Sequence, residues 1–247
     1  MTAIVGVLCK KGVVIGADSS ATFANGQIRT IEQKTKKIKI IGGKYIIAGT
    51  GQIGLGQRFV DEFEKTLNSS LASKTSPPSE LCRIITQQCL KNFISTNVQQ
   101  GQFGALFAFP WGSKHHLCEF DATTLQPELK TEHLWYVSMG SGQIITDPIL
   151  GFIRKMFWSE GEPELEQGIF ATLWTLQHAV DMNPGGINGP IDIAILECLP
   201  GNKIEARFLS EAEIQEHISN IQELEKHISS FTSKAVSKEP PAEIPKP

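Results

Sequence analysis

Thr2 follows Met1 directly, and threonine is small enough for the initiator methionine to be removed and expose it. One residue would then carry both a hydroxyl nucleophile and a free α-amine. With an ordinary pKa of about 8, that amine is partly neutral at cellular pH and can act as a base. Threonine at the second position is often idle, so its surroundings decide. Asp18 ends the second of two apolar segments, and a hairpin between them would return its carboxylate to the neighbourhood of Thr2. A plain turn acid is the simpler use of that residue. Lys37 opens a later segment, Lys36-Lys37-Ile38-Lys39-Ile40, in which alternation puts Lys37 and Lys39 on one face and Ile38 and Ile40 on the other. A solvated lysine face satisfies that pattern. A lysine held beside a threonine hydroxyl would instead favour the alkoxide, and a carboxylate would hold the lysine.

Other motifs are weaker. Gly49-Thr50-Gly51-Gln52-Ile53-Gly54 matches G-x-G-x-x-G after a strand pattern and before a helix pattern. A dinucleotide site also needs a second strand ending in an acid; here a second helix pattern follows, so the glycines read as a tight strand-to-helix turn. His115 and His116 have no third ligand in view, and solvent exposure is the expectation over metal binding. The five cysteines (Cys9, Cys82, Cys89, Cys118 and Cys198) are scattered without a Cys-x-x-Cys pair, which suggests neither zinc nor a redox couple. Cys82 and Cys89, seven apart, fall on one helical face as buried hydrophobes.

The elements that must position Thr2, Asp18 and Lys37 can be read from periodicity. Residues 3–9 and 12–18 are continuously apolar and β-branched, as in strands covered on both faces, with Lys10-Lys11-Gly12 as the turn. Two further strands are expected at 36–41 and 45–48, split by Gly42-Gly43. The period then changes to helical, with Leu55, Phe59, Val60, Phe63 and Leu67 on one face. After Pro77-Pro78, Ser79 is expected to cap a second helix. Strands at 103–109, 117–120 and ending at 134–137 precede helices near 144–157 and 163–180. Strands at 191–196 and 204–208 lead to a closing helix bearing Ile214, Ile218, Ile221, Leu224 and Ile228. Strand blocks interleaved with helix pairs predict two stacked sheets with helices on each outer face rather than βαβ repeats.

Composition agrees with one larger domain. The chain has 247 residues, 23 Lys+Arg against 26 Asp+Glu, and 40% hydrophobic residues, with a mean hydropathy of −0.10 and a pI near 6.1. A basic nucleic-acid or membrane-surface protein is not indicated, nor is a disordered one. Nothing before the apolar run 3–8 resembles a basic leader, so a cytoplasmic location is the expectation. Residues 1–231 read as the domain and 232–247, rich in proline, as a disordered tail.

With Thr2 opening a strand, then Gly12-Val13-Val14-Ile15-Gly16-Ala17-Asp18-Ser19, Lys36-Lys37-Ile38, Ile47-Ala48-Gly49 and Gly140-Ser141-Gly142, the chain resembles a proteasome-type β-subunit. The resemblance spans residues 2 to about 210 and is nearest to the bacterial betaproteobacterial-homologue type. It implies an α+β, four-layer αββα sandwich of the N-terminal nucleophile hydrolase kind, acting as a threonine endopeptidase without cofactor or metal. Thr2 would attack the peptide carbonyl, Asp18 and Lys37 would tune it, and the Gly49 N–H would stabilise the oxyanion. Ser141 would orient the terminal amine, Asp181 would support it, and Ile47 and Gly51 would line the substrate site. The implied partners are a peptide or unfolded-protein substrate, further copies in a ring, and an ATP-driven unfoldase, with neither nucleic acid nor membrane. Three departures stand out. Ser20 replaces an arginine common in the family, and the stretch from Asp18 to Lys37 is long enough for Lys34 or Lys36 to compete. The region 181–189 lacks the usual Asp-x-x-Ser-Gly. These departures also admit a catalytically silent ring scaffold.

Overall fold

The computed structural model describes residues 1–25, 28–69, 76–98, 103–158, 161–182, 185–201 and 203–236. The first two strands, β1 (Ile4–Cys9) and β2 (Gly12–Ala17), are buried at every position, as their unbroken apolar runs require. They pair antiparallel with Ile4 opposite Ala17 and Cys9 opposite Gly12. A hairpin follows, β3 (Ser20–Asn25) with β4 (Ile28–Lys34), forming a two-stranded sheet of its own. Then come β5 (Ile38–Ile41) and β6 (Tyr45–Gly51), and the helices α1 (Ile53–Asn68) and α2 (Pro78–Ile94). The central segment holds β7 (Phe103–Trp111), β8 (Lys114–Phe120), β9 (Pro127–Leu129) and β10 (Tyr136–Met139). It is followed by α3 (Gln143–Phe157) and α4 (Leu165–Met182), and the chain closes with β11 (Asp192–Leu199), β12 (Lys203–Phe208) and α5 (Glu211–Val236).

Two five-stranded antiparallel sheets result, ordered β10-β1-β2-β11-β12 and β5-β6-β7-β8-β9. Helices α3 and α4 cover the first sheet and α1 and α2 the second, while α5 packs on α4. This is the αββα layering expected from the interleaved strand and helix patterns. The cores divide accordingly. An aliphatic core fills the space between the sheets and under α4. An aromatic one, built on Phe59, Phe63, Phe107, Phe109 and Phe120, lies between the second sheet and α1–α2, with Phe107 stacked on Phe109 at 4.3 Å. Cys82 and Cys89 are both buried on the inner face of α2, as their spacing implied.

The long stretch between Asp18 and Lys37 is occupied by the β3–β4 hairpin. Three local expectations are corrected. Helix α2 begins at Pro78 with Pro77 at its cap, and Ser79 already lies inside it, because proline suits the first turn, where an N–H would have no partner. Helix α4 runs to Met182 and so carries Asp181. The closing helix continues to Val236, past the boundary at 231; the remainder of the proposed tail lies outside the described residues. No helix among the described residues is long and apolar enough to cross a membrane.

Candidate active site

The paired strands β1 and β2 bring Asp18 beside the N-terminus. The Asp18 N–H donates to the Ala3 carbonyl at 3.1 Å. In return the Ala3 N–H donates to Asp18 Oδ1 at 2.8 Å, and the Ser20 N–H donates to Oδ2 at 3.1 Å. Ser20 thus serves the aspartate through its backbone. Lys37, just before β5, donates from Nζ to Asp18 Oδ1 at 2.6 Å and to the Met1 carbonyl at 3.3 Å. The two side chains of this ion pair are 7% and 0% exposed. Neither Lys34 nor Lys36 takes this place: Lys36 lies 6.0 Å over the Phe208 ring, and Lys34 pairs opposite Ser20 in the hairpin. Burial pushes the Lys37 ammonium below the usual lysine range. The Asp18 charge and hydrogen bond oppose that shift, and the Glu32 charge adds a smaller opposition.

The opposite wall is Gly140-Ser141-Gly142, between β10 and α3. The Gly142 N–H donates to the Thr2 carbonyl at 2.9 Å, and Thr2 N donates to Ser141 Oγ at 3.1 Å. With Met1 present that donor is an amide; after removal of Met1 the same nitrogen is the α-amine. Gly140 has φ +96°, and a Cβ added there would sit 2.3 Å from the Thr2 carbonyl oxygen. Gly140→Ala is therefore expected to displace Thr2 and slow its reaction at least about tenfold, since misplacing a reacting group by even 1 Å is costly. Comparing labelling by a threonine-directed electrophile in the two proteins measures this.

A cleft of about 1090 Å³ opens beside these groups, and Thr2, Lys37, Ser141, Ile47, Gly49 and Gly51 all line it. Asp18 lies behind it, buried. Two expected residues do not fall into place. The Gly49 N–H donates to the Lys37 carbonyl at 3.3 Å, continuing the β5–β6 ladder, so this oxyanion donor is already engaged. Asp181 is exposed at the end of α4, where its carboxylate accepts from Gln177 at 2.9 Å. It stands apart from the hydrogen bonds around Thr2 because α4 extends beyond the expected boundary. Gly186 and Asn188 of the following loop reach the site instead. A Cβ on Gly186 would lie 3.4 Å from Met1 N, and the Asn188 carbonyl accepts the Ser19 N–H at 3.0 Å. Glu32 on β4 also escaped sequence reasoning. The signal that could have revealed it is Asn25-Gly26 between alternating segments, a strong hairpin mark.

The histidines are corrected as well. His115 is half-buried, with its ring nitrogens 2.8 Å from the Cys9 carbonyl and 3.1 Å from Cys198 Sγ. Burial and the neighbouring His115 and Lys114 charges push His116 down to about 4. No group of three or more potential metal ligands occurs among the described residues.

Comparison with solved structures finds the same fold in two Anbu proteins. The Gly-1 mutant of Anbu from Hyphomicrobium sp. strain MC1 superposes with a TM-score of 0.69 at 14% identity, covering 99% of this chain and 100% of that one. Anbu (ancestral beta-subunit) from Yersinia bercovieri gives 0.69 at 11% identity over 99% and 100%. No curated protein matches the sequence. The model of the proteasome subunit family matches residues 2–188, which contain Thr2, Asp18, Lys37 and Ser141, and the chain therefore belongs to the proteasome subunit family.

Proposed function

We propose that this protein is a threonine endopeptidase that hydrolyses peptide bonds with Thr2 after Met1 is removed. The observation that carries the reading is the buried Lys37–Asp18 pair, aimed at the N-terminal segment while Ser141 holds the Thr2 nitrogen. Thr2 Oγ would attack the substrate carbonyl and lose its proton to the neutral form of Lys37. The peptide C–N bond would then break, the departing amine taking a proton, and water would hydrolyse the threonyl ester to regenerate Thr2. Gly49 would join as oxyanion donor by turning from, or sharing, its long bond to the Lys37 carbonyl. The apolar Ile47 and the glycines at 49 and 51 favour an extended peptide with an apolar residue before the scissile bond.

Family membership supports assembly into a homo-oligomeric ring, with unfolded protein delivered by an ATP-driven unfoldase, in the cytoplasm. The betaproteobacterial-homologue type remains the placement that the motif order suggests. A silent scaffold is the second reading, favoured by the engaged Gly49 N–H and the outlying Asp181.

The pH dependence separates the two. The neutral form of Lys37 accepts the Thr2 proton, so reactivity should be lost as pH falls and gained as it rises. The apparent pKa should lie below the ordinary lysine value of 10.5 because burial lowers it. Labelling rates measured from about pH 5 to about pH 10 should show that rise. Absence of labelling across the range would favour the scaffold.

A further inference from the structure

The hairpin β3–β4 occupies the extra length between Asp18 and Lys37, and its return strand carries a second carboxylate to the back of the site. Thr22 pairs opposite Glu32, which places Glu32 within reach of Ser20. Ser20 Oγ donates to Glu32 Oε1 at 2.8 Å, and Asn188 Nδ2 donates to the same oxygen. The loop bearing Asn188 is stitched to the same corner twice more, by the Ser19 N–H to the Asn188 carbonyl and by Ser19 Oγ to the Pro190 carbonyl. Ser20 in turn gives its N–H to Asp18 Oδ2. Glu32 thus sits two hydrogen bonds from the carboxylate that holds Lys37. It joins the two strands of the hairpin to a loop that is remote in sequence.

We propose that Glu32 is a positioning residue for the Lys37–Asp18 pair: it fixes Ser20 and the Asn188 loop behind Asp18 and adds a second carboxylate charge to the corner that holds Lys37. The assignment rests on the threonine-hydrolase reading for its consequence in catalysis; its effect on Lys37 rests on the hydrogen-bonded corner around Ser20 and on the Glu32 charge.

The charges around Lys37 make the effect separable. Asp18 faces it from the end of β2 and Glu32 from β4, both favouring the ammonium. The N-terminal nitrogen, bonded to Ser141, opposes it whenever it is charged. On its own segment, Lys36 is drawn to Phe208 and toward Asp192, and Lys39 pairs with Glu64 at 3.0 Å. Glu32 itself is solvent-exposed, so its charge acts through a partly watery path. An effect of roughly 0.5 pH unit is expected on Lys37, rather than the larger one of a buried partner.

The test uses the full chain with ¹³C-labelled lysine, following the Lys37 Cε signal by NMR against pH, with Lys37→Arg to assign it. Glu32→Gln keeps an acceptor oxygen for Ser20 and Asn188 and removes only the charge. It should lower the Lys37 midpoint by roughly 0.5 unit. The inflection of threonine-probe labelling should move down equally, making labelling about threefold faster below it. Glu32→Ala loses both acceptor and charge. It should show the same midpoint shift together with slower labelling on the high-pH plateau. A Lys37 midpoint unchanged in Glu32→Gln overturns the proposal, even if the variant is less stable or less active. Absence of labelling in the parent protein would count against the threonine mechanism, while the Lys37 midpoint would still decide the role of Glu32.

Discussion

Thr2→Ala is expected to reduce peptide hydrolysis and probe capture by about 10³-fold or more, with the fold and its unfolding midpoint unchanged. The size follows from losing the nucleophile itself rather than a group that assists it. The retention of structure follows from how Thr2 is held. Its carbonyl accepts from Gly142 and its nitrogen donates to Ser141, both backbone interactions that alanine preserves. Thr2→Ser keeps the hydroxyl and should retain most of the activity. Hydrolysis of apolar peptides and urea unfolding, measured on the same three preparations, check both halves. Full residual activity in Thr2→Ala would end the assignment of Thr2.

Lys37→Met is expected to abolish activity and also to destabilise the protein by about 3–5 kcal/mol, because it leaves a buried carboxylate without its cation. Asp18 is 0% exposed at its side chain and would keep only the Ala3 and Ser20 N–H donors. Asp18→Asn in the same chain should recover much of that loss in stability, since the uncompensated charge is then gone, without restoring activity. Urea unfolding of the two single variants and the double variant measures the coupling. A loss under about 1 kcal/mol in Lys37→Met would show that the pair is more hydrated than its burial implies.

Much of the scaffold was legible because the strongest patterns are also the most buried. The unbroken apolar runs of β1 and β2 cannot face water on either side, and the helical spacing of Phe59 and Phe63 requires a covered face. The same runs brought Asp18 back to Thr2, and the alternation around Lys37 was right in direction: Ile38 is buried and Lys39 exposed. What failed depends on where the chain turns. The hairpin β3–β4 carries Phe23 and Ile31 outward, 42% and 52% exposed, so its alternation does not advertise a buried face. With the hairpin unseen, Glu32 had no place in the site. Asp181 was misplaced by where α4 ends, a boundary that periodicity fixes poorly. The engaged N–H of Gly49 depends on the register of β5 against β6, which no local pattern encodes.

The central claim is that Thr2, freed of Met1, is the nucleophile. Intact-mass analysis and peptide mapping after treatment with a threonine-directed electrophile test it most directly. The expected result is a chain lacking Met1 that carries a single adduct on Thr2, with no adduct in Thr2→Ala. A chain that retains Met1, or an adduct that persists in Thr2→Ala, would contradict it.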